Sequence, residues 1–141
     1  MVKNIAAGVE GRLMIDHVSL GVTDLERSKA FYDAVLKPLG VSRFYDYEGG
    51  LGYGTAADKI QFWIGPPLDA SRPARASGGT HIAFSAASRK AVDEFHRAAL
   101  ASGAKDDGKP GLRPIYHPNY YGAFVLDPDG HKIEACCHSP A

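Results

Sequence analysis

The chain has 141 residues, 45% of them hydrophobic and 23% charged, which is the composition of one packed globular domain and excludes a disordered or fibrous protein. Sixteen Lys and Arg balance sixteen Asp and Glu, for a formal net charge of zero. That balance removes any global electrostatic argument for a nucleic-acid or anionic-membrane partner.

Residues 1–13 show no clear periodicity and read as a flexible leader, too short in its apolar run for a signal peptide. Met14-Ile15-Asp16 then opens a strand. Thr23-Asp24-Leu25-Glu26 has capping-box spacing, and Leu25, Tyr32, Val35 and Leu39 recur near helical period, which predicts a helix over about 24–38 stopped by Gly40. Three strands follow, over about 41–47, 50–56 and 59–65. The segment 66–79, with three Pro and the pair Gly78-Gly79, reads as a linker.

The second half repeats the first. Thr80-His81-Ile82-Ala83-Phe84 resembles Asp16-His17-Val18-Ser19-Leu20, with His81 lying 64 positions beyond His17. The same offset pairs Phe31 with Phe95, Ala34 with Ala98 and Leu36 with Leu100, so a second helix begins at the Ser88 cap and stops at Gly103. Strands are expected over about 113–117, 120–126 and 131–138, with Asp127-Pro128-Asp129-Gly130 as the turn between the last two. Lys105 to Lys109 reads as a solvated loop, and His96 and His131 as surface groups. The chain thus divides into a module over 14–65, a linker over 66–79 and a module over 80–138, each running strand, helix, three strands, inside one domain over 14–141.

Strand alternation sorts the side chains. Met14, Val18 and Leu20 point toward a helix while His17 and Ser19 point away; Ile82 and Phe84 oppose His81; Ile60 and Phe62 oppose Gln61 and Trp63; Ile133 and Ala135 oppose Glu134, Cys136 and His138. If the two half-sheets join into one curved surface, His17, Gln61, His81 and Glu134 converge at its centre. Two imidazoles and a carboxylate form the 2-His-1-carboxylate set, which holds a divalent metal and leaves positions open for substrate and oxygen or water. A lone strand histidine is ordinarily a hydrogen-bonded, half-buried residue; recurrence of the pair across the repeat favours ligation.

Ile15-Asp16-His17-Val18-Ser19-Leu20, Thr80-His81-Ile82-Ala83-Phe84 and the run Phe124 to Glu134 resemble the vicinal oxygen chelate superfamily, which includes glyoxalase I, extradiol dioxygenases, fosfomycin resistance proteins, methylmalonyl-CoA epimerase and metal-free bleomycin resistance proteins. The resemblance covers Met14 to His138. It implies an α+β fold of two βαβββ modules forming a cupped eight-stranded mixed sheet with helices on the convex face. It also implies metal positions at His17, Gln61, His81 and Glu134, of which His17, His81 and Glu134 are the expected ligands, a divalent ion (Fe, Mn, Ni or Zn), and a homodimer. Gln61 departs from the carboxylate that glyoxalase I and the epimerase use, and an amide has no protonation equilibrium at neutral pH, which favours dioxygenase-like chemistry over a two-base proton shuttle. The alternatives are a glyoxalase-type lyase or isomerase and a metal-free small-molecule binding protein.

Around the cleft, Tyr120, Tyr121 and His117 are candidates to donate a proton or stack on a substrate, Trp63 to wall the pocket, Arg113 to attract an anion, and His138 to face the pocket. Gln61 is a further candidate contact. Cys136 reads as a small buried residue. Adjacent cysteines are unsuited to an ordinary disulfide, so a cytoplasmic protein acting on a small-molecule substrate, with no nucleic-acid or membrane partner, is expected.

Overall fold

The structure, a computed structural model, describes residues 14–67 and 69–141. The expected leader over 1–13 lies outside the described residues. The first module contributes β1 (Val18–Gly21), α1 (Leu25–Leu36) with a 3-10 turn over Lys37–Leu39, β2 (Ser42–Tyr47), β3 (Gly50–Ala56) and β4 (Lys59–Gly65). The second contributes β5 (His81–Ser85), α2 (Arg89–Ala101), β6 (Lys105–Leu112), β7 (Tyr121–Leu126) and β8 (Lys132–Cys137). The strands form two mixed four-stranded sheets, ordered β1-β4-β3-β2 and β5-β8-β7-β6. β1 runs parallel to β4 and β5 parallel to β8, while the remaining pairs are antiparallel. Each module is therefore one βαβββ unit, and the protein is α+β.

The helices start where side chains cap them: Asp24 accepts from the Arg27 N–H, and Ser88 from the Ala91 N–H. Gly40, at φ 74°, takes the left-handed conformation that closes the 3-10 turn after α1. Phe31, Tyr32, Val35 and Leu36 of α1 and Val92, Phe95 and Ala99 of α2 are buried with Leu51, Phe62, Ile64, Val125, Ile133 and Ala135 of the sheets in one core. Phe62 and Phe84 meet edge to face at 5.1 Å, joining the two modules' cores. Polar links reinforce the joint. Tyr32 donates its hydroxyl to Asp127, Thr23 donates its hydroxyl to Asp129 at 2.6 Å, and His131 Nε2 bonds the Gly21 carbonyl at 2.8 Å.

Several expectations are corrected. β1 begins at Val18, where parallel pairing with Phe62 starts, and Met14 is 95% exposed rather than packed on a helix. The strand expected over 113–117 lies instead at Lys105–Leu112, the segment read as a solvated loop. Its charges sit on a bulged edge strand, where such residues discourage further pairing. Residues 113–117 form a turn closed by the Tyr116 N–H on the Arg113 carbonyl. His96 is 8% exposed and bonds Asp106 at 2.9 Å, and His131 is half-buried on Gly21. Both imidazoles find polar partners inside the fold, which a surface reading does not anticipate.

Candidate metal centre and substrate cleft

Two polar faces result from the alternation. On the first module, β1 and β4 pair Ser19 with Trp63, so His17, two residues before Ser19, falls in phase with Trp63 while Phe62 and Ile64 are buried on the other face; Gln61 sits at a register shift between β3 and β4, and Ile60, expected opposite Trp63, reaches the Trp63 side of Gly52 instead. On the second, β5 pairs Ala83 with Glu134, and Glu134 pairs with Phe124 of β7. His81, Glu134 and Phe124 therefore share a face.

The strongest contact lies on the second face. His81 Nε2 stands 3.2 Å from Glu134 Oε1, and Tyr120 donates its hydroxyl to Glu134 Oε2. Glu134 is 1% exposed, so both carboxylate oxygens are engaged in a desolvated setting. Burial, then the bond to Glu134, raises the Tyr120 hydroxyl above the ordinary tyrosine range, and it remains a neutral donor. The adjacent Tyr121 turns the opposite way and donates to Asp93 of α2 at 2.6 Å.

His17 bonds Asp16 at 2.7 Å. It lines, with Gln61, His81 and Ser85, a cleft of about 630 Å³ between β1 and β5. Within one chain the two histidines are nevertheless staggered. The His131–Gly21 bond sets the end of β1 level with the start of β8, where Lys132 pairs with His81. His17 lies four residues earlier, about 13 Å back along the strand. Among the described residues, no three His, Cys, Asp or Glu side chains are grouped to share a cation. One chain thus presents an imidazole and a carboxylate side by side, donors that suit two positions around a divalent first-row ion.

A second cluster extends from this pair. The Asn119 N–H donates to His117 Nδ1 at 3.1 Å, which leaves the proton of the neutral ring on Nε2; His117 Nε2 then donates to His138 Nδ1 at 2.7 Å. His138 Nε2 is left carrying its own proton, 3.9 Å from the Cys136 sulfur. Burial pushes the Cys136 thiol up, so it is not an activated nucleophile. The Tyr120 ring packs edge-on against both imidazoles.

Arg113 lies over the Phe124 ring at 5.6 Å and donates to the Lys109 carbonyl at 2.7 Å, and no carboxylate pairs with it among the described residues. Lys132 covers the same ring at 4.8 Å, and the His81 ring is 6.0 Å from it. Phe124 and Lys132 were missed by sequence reasoning as site residues. Alternation along β7 carries the signal for Phe124, since it shares a phase with Gly122 opposite the pocket-facing residues of β8.

The model of the Glyoxalase/Bleomycin resistance protein/Dioxygenase superfamily matches residues 14–135. A crystal structure of a glyoxalase/bleomycin resistance protein from Albidiferax ferrireducens T118 is 36% identical with a TM-score of 0.81, covering 89% of this chain and 99% of that one. The uncharacterized protein YqjT of Bacillus subtilis is 29% identical over 132 residues, 84% of this chain and 94% of its own. The fosfomycin resistance protein FosX of Listeria monocytogenes, 20% identical with a TM-score of 0.64 over 91% of this chain and 95% of its own, shares the fold.

Proposed function

The chain belongs to the Glyoxalase/Bleomycin resistance protein/Dioxygenase superfamily, and from that premise we propose that it is a divalent-metal-dependent enzyme acting on a small molecule chelated through adjacent oxygens, with dioxygenase-like chemistry favoured. The observation that carries this reading is the contact of His81 with Glu134, backed by the Tyr120 hydroxyl on the second carboxylate oxygen. His81 and Glu134 would hold the ion, of which Fe, Mn, Ni and Zn suit such donors. His17 is the third ligand. Because it is staggered from His81 within one chain, it comes from a second copy, so the active form is a homodimer whose two sites each draw on both chains.

The ion, when bound, polarises the chelated oxygens and stabilises negative charge developing on them. Tyr120, neutral and bonded to Glu134, fixes the carboxylate. Gln61 orients substrate through its amide and moves no proton, which disfavours a glyoxalase-type shuttle between two carboxylates. Arg113, over Phe124, attracts an anionic substituent. The free, buried Cys136 and Cys137 suit a reducing compartment, and the cytoplasm is the proposed location.

A mixing experiment tests the shared site. His17→Ala and His81→Ala homodimers should each lose tightly bound metal, while the purified heterodimer of the two variants should regain about half the wild-type content, because one of its two sites is intact. A heterodimer without metal places all three ligands in one chain. Wild-type protein that neither carries nor takes up metal replaces the enzyme with a metal-free binding protein.

A further inference from the structure

Tyr120 is seated by two imidazoles that ligation does not use. Its ring meets His117 edge-on at 5.5 Å and His138 edge-on at 5.1 Å, and the imidazoles lie 21° from parallel with centroids 5.0 Å apart. The backbone ties Tyr120 to the same turn, since its N–H donates to the His117 carbonyl at 3.2 Å. Each ring nitrogen of the pair has a single role. His117 Nδ1 accepts the Asn119 N–H, His117 Nε2 donates to His138 Nδ1 at 2.7 Å, and His138 Nε2 keeps its proton toward Cys136. The pair therefore carries two protons on four nitrogens, and a third can enter only at an accepting one. On His117 Nδ1 it displaces the Asn119 N–H; on His138 Nδ1 it sets two N–H groups head-on. Either way a bond of the chain breaks.

We propose that His117 and His138 are positioning residues for the Glu134 carboxylate, and that a proton taken up by the pair unseats Tyr120 and so loosens the carboxylate it holds. The inference rests on the reading of His81 and Glu134 as metal ligands and names a proton-linked control of that site. Packing alone requires no such chain, because two phenyl rings would support Tyr120 at any pH. His138 is exposed and His117 half-buried, so a solvent proton reaches the pair without unfolding. The titratable groups facing the rings are Tyr120 from the turn and Cys136 from β8, both kept neutral by burial, with Tyr116 edge-on to Tyr120 at 4.9 Å. Among the described residues, no Lys, Arg, Asp or Glu side chain bonds to either ring. The sign follows from the proton count. The chain is whole while the pair holds two protons and is lost as pH falls through the range where imidazoles protonate.

The chain has seven tyrosines, and with 3-fluorotyrosine in their place the fluorine line of Tyr120 is the one that Tyr120→Phe removes. Metal-free, full-length protein is titrated from pH 8 to pH 5. The Tyr120 line should move in one step whose midpoint two imidazole signals share. In the double variant His117→Gln, His138→Asn, where an amide N–H can still donate to a carbonyl and neither side chain takes up a proton, the line should stay in place. A line that is static in the wild type, or that moves equally in the double variant, overturns the proposal. Zinc affinity supplies the second measurement, and it stands even if the double variant fails to fold. Proton competition at the ligating histidines weakens wild type and Tyr120→Phe alike, so the wild-type advantage should shrink at least about threefold between pH 7.5 and pH 6 as Tyr120 leaves Glu134. An advantage equal at the two pH values overturns the positioning role and leaves the metal reading intact. Protein that takes up no zinc, yet shows the Tyr120 line titrating with the pair, sinks the metal reading and leaves the proton-controlled seat of Tyr120.

Discussion

Tyr120 donates its hydroxyl to Oε2 of Glu134, the carboxylate whose other oxygen faces His81. Groups that orient a ligating carboxylate act on metal affinity without touching the ion. Tyr120→Phe keeps the ring and its packing on His117 and His138 and removes only the donor. The variant is expected to fold normally and to bind zinc ten- to about a hundredfold more weakly, measured by competition with a chromogenic chelator. Unchanged zinc affinity would show that Tyr120 plays no part in holding the carboxylate.

The pairing of His81 with Glu134 was legible in the sequence because strand alternation puts both side chains off the helix-packed face, and the repeat relates His81 to His17 and Glu134 to Gln61. The stagger of His17 was not. It is fixed by the bond from His131 to the Gly21 carbonyl, a contact 110 residues apart that no local pattern encodes. The edge strand β6 escaped for a related reason: hydrogen bonds to β7 hold its charged, glycine-containing run extended, and composition alone reads such a run as a loop. Tyr120 and Tyr121 show the limit most plainly. Adjacent tyrosines point to opposite faces, and sequence supplied the alternation but not the strand's start, hence not which ring meets Glu134 and which meets Asp93.

The His117–His138 pair makes a second, independent prediction. His117 receives the Asn119 N–H and donates to His138, tying the turn over 113–120 to the end of β8. His117→Ala should cost about 1 kcal/mol of stability. Its clearer signature is local: amide hydrogens over 113–120 should exchange faster while those of α1 keep their protection. Uniform acceleration across the chain would mean that the pair supports the whole fold rather than this turn.

Acid stability should depend on Asp106. Bonds from His96 and from the Gly108 N–H hold its carboxyl below the usual aspartate range. A carboxyl depressed in the native state contributes stability above its unfolded value, near pH 4, and that contribution is lost as pH falls through the lower native value. Urea midpoints of wild type and Asp106→Asn should therefore differ at pH 6 and converge toward pH 3. A gap that persists undiminished at pH 3 would assign the effect to packing.

The alkaline limb should be set in part by the joint between modules. Tyr32 is fully buried and donates to Asp127; burial first, and then the Asp127 charge, raise its hydroxyl well above the tyrosine range. A native group that keeps its proton to higher pH than the unfolded chain contributes stability in full below the unfolded value, near pH 10, and loses it as pH climbs toward the native one. Tyr32→Phe removes the bond to a buried carboxylate that also accepts the Asp129 and His131 N–H groups, so the turn itself survives. The loss at neutral pH should be about 2 kcal/mol, the worth of a hydrogen bond to a charged group. Between pH 9 and 11 the wild type should lose stability more steeply than the variant, narrowing the difference. Parallel decline of the two would show that the Tyr32 proton is released in the native state as readily as in the unfolded one, and that the joint is held by the Phe62–Phe84 contact and the other cross-module hydrogen bonds instead.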